Sequence, residues 1–143
     1  MQESSRIQTG SEVLCHREQT KEDRQTGLKL RTFTHGSGLR VNLIPRHGFS
    51  KKFAGITIPL GSVHDRLRTD GGSVRLPAGA AHYMEHCIFS KDENGGLLST
   101  LSSLGANANA YTSFDHTMYY FTSSENFRDI LDVYAKAVMS PYL

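Results

Sequence analysis

Apolar and polar residues alternate along 28–34 (Leu-Lys-Leu-Arg-Thr-Phe-Thr) and again along 39–44 (Leu-Arg-Val-Asn-Leu-Ile). Between them His35-Gly36-Ser37-Gly38 supplies turn chemistry, and Pro45 closes the second run. A period of two on both sides of a Gly-rich turn predicts a β-hairpin. A third strand is expected over 52–60 (Lys-Phe-Ala-Gly-Ile-Thr-Ile-Pro-Leu), where Pro59 suits an edge or a bulge. Residues 61–77 lose the alternation and carry Gly71-Gly72 near their middle, so they read as loop. Pro77 stands where a helix can begin.

The Ala-rich stretch 78–89 predicts a helix, broken at Gly95-Gly96. A short second helix fits 97–104, with Leu97, Leu98, Leu101 and Leu104 on one stripe and Gly105 as a left-handed cap. Residues 106–114 and 116–122 read as two strands around a short turn. Residues 125–140 form an amphipathic helix, with Phe127, Ile130, Leu131, Tyr134 and Val138 on one face. Ser124 is expected to cap it and Pro141 to stop it. The resulting order, β-β-β-α-α-β-β-α, predicts an α+β domain over 28–143: a largely antiparallel sheet with helices packed on it. Residues 1–27 are polar, mixed in charge and without trusted periodicity, and read as a loosely ordered N-terminal arm.

Composition narrows the function classes only modestly. At 143 residues and 38% hydrophobic content, the chain can bury a core. A net charge of +2 is too small to argue for nucleic acid, and no apolar run is long enough to cross a bilayer. The basic cluster Arg40, Arg46, His47, Lys51 and Lys52 reads as a solvated hairpin end rather than a nucleic-acid patch. No nucleic-acid or membrane partner is therefore expected. The first ten residues carry no apolar signal core, and Cys15 and Cys87 make no disulfide framework, so the expected location is cytoplasmic.

Chemistry concentrates in His82-Tyr83-Met84-Glu85-His86. On a helix, His82 and His86 stand one turn apart on the same face, so both imidazoles can reach one zinc ion at about 2.0–2.1 Å. Glu85 is beside His86 and three residues from His82. Its carboxylate can lie near the metal without ligating it, accept a proton from metal-bound water and return it to a leaving amine. Composition alone predicts roughly 0.02 such matches in a chain of this length. The competing reading of the five residues is a helical His pair that is merely exposed or hydrogen-bonded.

Further residues recur in order around this cluster: Gly61-Ser62; Gly79-Ala80-Ala81 leading into His82; Phe89; Gly105-Ala106-Asn107-Ala108-Asn109-Ala110-Tyr111-Thr112; Thr117-Met118-Tyr119-Tyr120-Phe121; and Ser140-Pro141-Tyr142. From about residue 28 to its end the chain resembles the pitrilysin/insulinase family of zinc metallopeptidases, the inverzincins. It is most similar to the bacterial zinc-protease branch. The resemblance implies that His82 and His86 are zinc ligands and Glu85 is the general base. It implies that Asn109 and Ala110 lie on the edge strand to which an extended peptide substrate adds, a role suited to unpaired backbone groups.

A catalytic zinc site needs a third protein ligand. In the family this is a Glu well downstream of the second His, expected past the end of this chain, as are the remaining strands and the second homologous half. The chain thus resembles the front part of one catalytic domain. Asp115, Glu125 and Asp129 are substitutes on paper only. The leading expectation is a zinc metalloendopeptidase domain acting on extended peptides. The alternative is a truncated or degenerate non-catalytic module that binds peptides or a partner subunit by strand addition.

Overall fold

The computed structural model describes residues 15–90 and 96–141. Residues 1–14 of the leading arm, Gly95 of the expected helix break and Tyr142 of the terminal motif lie outside the described residues. The chain divides into two compact units, Met1–Gly48 and Phe49–Leu143.

In the first unit the expected hairpin forms as β2 (Lys29–His35) and β3 (Arg40–Leu43). Gly38 takes φ 88° in its turn, a conformation glycine adopts without a Cβ penalty. The reading of 1–27 as a loosely ordered arm is corrected over part of its length. Residues Cys15–Glu22 form β1, which pairs antiparallel with β2 to give the order β1-β2-β3. Its segment Cys-His-Arg-Glu-Gln-Thr-Lys-Glu has no apolar alternation, because an outer strand of an unburied sheet needs none. The Asp23 carboxylate closes the β1–β2 turn by accepting from the Thr26 N–H and hydroxyl at 2.8 and 2.7 Å. Those bonds hold its carboxyl below the usual aspartate range.

The second unit is built on a three-stranded antiparallel ladder in the order β4-β8-β7. Its strands are β4 (Lys52–Ile58), β7 (Asn107–Thr112) and β8 (Thr117–Ser123). The third expected strand therefore joins the two downstream strands, not the hairpin, and the α+β class is realised in three separate ladders. The third is a hairpin, β5 (Arg66–Thr69) and β6 (Gly72–Arg75), inside the stretch read as loop. Its two-residue Asp70-Gly71 connection is a recognised hairpin signal. The flanking strands are too short and too exposed to announce themselves by alternation.

Among the described residues three helices accompany this ladder: α1 (Ala80–Ser90), α2 (Leu97–Ser103) and α3 (Phe127–Met139). The helix-facing side of the sheet is written in its period of two. Tyr119 and Phe121 of β8 are buried, flanked by Ala54, Ile56 and Ile58 of β4 and Ala108 and Ala110 of β7. The small alanines leave room for helices to lie close. Leu97 and Leu101 of α2, and Ile130, Tyr134 and Val138 of α3, recur every four residues and complete the core. Gly105, at φ 84°, ends the α2 turn as expected. The expected Ser124 cap of the last helix is not used. Asn126 is the N-cap, in a left-handed conformation, and its side-chain amide donates instead to the Leu104 carbonyl at 3.3 Å.

Candidate metal and peptide site

Helix α1 carries the candidate chemistry. Ala81, Cys87 and Ile88 are buried while His82 and His86 are exposed, so burying one face of the helix presents the histidines on the other. The two Nε2 atoms lie 3.0 Å apart. That is short enough for one ion to touch both at about 2.0–2.1 Å, so the pair fits a shared metal. With Nε2 committed to a metal, each ring must carry its proton on Nδ1. No group of three or more His, Cys, Asp or Glu side chains suited to a metal occurs among the described residues.

Glu85, half-buried on the same helix, turns toward the sheet. Its Oε2 accepts from the Thr112 hydroxyl at 2.5 Å. Thr112 ends β7 and pairs with Thr117, the first residue of β8, their hydroxyl oxygens 3.3 Å apart. Thr117, buried, donates to the Leu60 carbonyl at 2.8 Å. Leu60 reaches this point because the segment after β4 docks on the β7–β8 turn. Ser62 and Val63 N–H groups bond the Ser113 and Phe114 carbonyls at 2.9 and 3.0 Å. Gly61 is required there, since a Cβ would sit 2.5 Å from the Phe114 carbonyl. Beneath Glu85, Tyr119 has its phenol pushed up to about 12, first by burial and then by the Glu85 charge.

Asn109 and Ala110 lie on β7, the outer strand of its ladder among the described residues. The Ala110 N–H is taken by the Asn109 side-chain oxygen at 2.8 Å, and the Asn109 carbonyl accepts from the buried Tyr134 hydroxyl at 3.0 Å. The same Tyr134 proton is shared with the Tyr120 carbonyl at 3.1 Å, so one phenol ties α3 to both β7 and β8. The paper substitutes for a third ligand have other surroundings. Asp115 is bound to His116 Nδ1 at 2.6 Å, which holds its carboxyl below the usual range. Asp129 sits in the first turn of α3, and Glu125 is exposed just before that helix. None of them joins His82 and His86 in a metal-suited group.

Nothing in the sequence around Thr112 and Thr117 assigns either a role. Thr112 is 27 residues from Glu85, and no spacing rule links a strand end to a helix that distant. Cys87 is buried, and its thiol raises the pKa of exposed Tyr83 through a hydrogen bond.

Comparison with known proteins agrees with this architecture. Residues 50–143 match the model of the insulinase family, peptidase family M16. The uncharacterized zinc protease YmfH of Bacillus subtilis is 38% identical over 108 residues, covering 74% of this chain and 25% of that protein. Human insulin-degrading enzyme is 29% identical over 110 residues, covering 73% of this chain and 10% of the enzyme. The chain thus spans about a quarter or less of these relatives. A solved M16-like peptidase from Alicyclobacillus acidocaldarius superposes with TM-score 0.75 at 33% identity, over 83% of this chain and 28% of that one. A Helicobacter pylori protease superposes with TM-score 0.64 at 26% identity, over 81% and 27% of the respective chains. Among the described residues no helix is long and apolar enough to cross a membrane. With a family match spanning the whole second unit but for its first residue, this chain belongs to the insulinase family of peptidases, M16.

Proposed function

We propose that this chain is the front part of a zinc-dependent metalloendopeptidase domain that hydrolyses extended peptides. The observation that carries the reading is the convergence of the His82 and His86 Nε2 atoms to 3.0 Å on a helix that also bears Glu85. Zinc, when bound, polarises the scissile carbonyl and makes attacking water more acidic. His82 and His86 would hold the ion through Nε2, and the Glu that the family resemblance implies further downstream would complete its protein ligands. Glu85 takes the proton from water as general base and delivers it to the leaving amine. The peptide lies extended along β7, where Asn109 and Ala110 meet its backbone. The Asn109 carboxamide, now bonded to the Ala110 N–H, yields that donor to the incoming strand.

The test uses the full-length native protein and a quenched fluorescent peptide. Glu85→Gln keeps the zinc and loses hydrolysis by about 10²–10⁴-fold, the usual range for a general base, while His82→Ala loses the zinc itself. Full activity in Glu85→Gln sinks the mechanism. A second reading, non-catalytic capture of a peptide or partner subunit by strand addition, is favoured by the outer position of β7 alone. It is the answer if peptide binds with native zinc bound and is never cut.

A further inference from the structure

We propose that Thr112 is a positioning residue for Glu85: its hydroxyl fixes one carboxylate oxygen and thereby aims the other at the water. The inference rests on the peptidase reading above and deepens it. A glutamate has three side-chain torsions, so on a half-exposed helix face its carboxylate sweeps a wide arc unless something holds it. Thr112 is suited to hold it. It is β-branched and stiff at χ1, and its backbone is paired to Thr117 at the end of the ladder.

The proton count gives the contact its direction. Each threonine hydroxyl has a single proton. Thr117 spends its proton on the Leu60 carbonyl, an acceptor with none to return. Only the Thr112 proton can serve the 3.3 Å contact between the two hydroxyls, and it has a much shorter partner in Glu85 at 2.5 Å. A bond to an ionised oxygen is also the stronger of the two. Thr112 therefore donates to Glu85, and Oε2 is the oxygen held. Oε1 stays outside that bond and is the one available for proton transfer. The anchor is rigid because Gly61 lets the post-β4 segment touch the β7–β8 turn, which puts the Leu60 carbonyl where Thr117 needs it.

Two substitutions separate this role from packing. Thr112→Val keeps the shape and removes the hydroxyl, whereas Thr112→Ser keeps the hydroxyl and removes the methyl. In the full-length protein, Thr112→Val is expected to lower kcat by up to about 100-fold, the scale of a small misplacement of a reacting group. KM, zinc content and thermal midpoint stay near native, and Thr112→Ser restores most of kcat. A Thr112→Val enzyme with native kcat, or a Thr112→Ser enzyme as slow as the valine variant, overturns the proposal. Glu85→Gln is assayed alongside. If it too has native kcat, the general-base reading has failed; if it is slow while Thr112→Val is not, only the positioning role has. NMR of labelled threonine supplies a readout free of turnover. The Thr112 hydroxyl proton is expected to exchange slowly in the native protein and rapidly in Glu85→Ala. Fast exchange in the native protein counts against the bond.

Discussion

The two units of this chain are built from similar antiparallel strands and are held in different ways. Across the described part of the first unit, β1-β2-β3, no residue from 17 to 48 is buried, and Val41 and Ile44 are 46% and 50% exposed. Its cross-strand contacts are polar or at the surface. Arg31 bonds Glu18 at 2.8 Å, and Thr32 donates to Asn42 at 2.9 Å. In the second unit Leu101, Phe121 and Ile130 are wholly buried. A ladder held by exposed pairs fixes its register, whereas a helix seated on a closed core fixes side-chain positions well enough to bring two imidazole nitrogens together. The family match, residues 50–143, follows the unit with the core.

The sharpest way to break the comparison is truncation of one apolar residue in each unit. Phe121→Ala is expected to cost about 3–5 kcal/mol of stability, the range for an aromatic deleted from a packed core. Val41→Ala, half exposed, is expected to cost under about 1 kcal/mol. Denaturant unfolding of both variants checks this. Equal losses would mean that the β2–β3 apolar face is covered in solution.

Alkaline titration sharpens the comparison next, because all six tyrosines lie in the second unit. Tyr119 is raised to about 12 by burial, and Tyr134 is raised further for the same reason. A phenol whose folded pKa is raised favours the native state below its unfolded value near 10. That contribution is lost as pH climbs through about 12. Phenolate absorbance is expected to show buried Tyr119 and Tyr134 ionising late, together with unfolding of the core. Ordinary ionisation of all six near pH 10 would mean that the core admits water.

The smallest effect belongs to the first unit. Glu18→Gln removes the exposed pair with Arg31, and thermal unfolding is expected to register less than about 1 kcal/mol, shrinking further in salt. A larger loss would make that pair the organising contact of its sheet.

Much of the second unit is legible without coordinates. Alternation finds β4, β7 and β8 because most of their helix-facing side chains are apolar and half-buried or buried. The four-residue recurrence of Ile130, Tyr134 and Val138 finds α3. β1 escapes because both its faces are polar, and the β5–β6 hairpin escapes because its exposed strands of four residues leave too short a pattern. The histidine pair is legible because it depends only on helical geometry, which places residues four apart on one face.

Local periodicity along the chain encodes the alternating strands β2, β3, β4, β7 and β8 and the helices α1, α2 and α3, while the ordered motifs around His82, Glu85 and His86 carry the family resemblance. Ladder membership and the direction of the Glu85 carboxylate are set by tertiary packing. Register and ladder membership depend on which apolar faces meet, and no single segment carries that information. The Thr112 contact joins a helix to the end of a strand 27 residues away, across the fold that Gly61 and the β7–β8 turn close. Such a contact exists only once the chain is packed, because its two partners share no period.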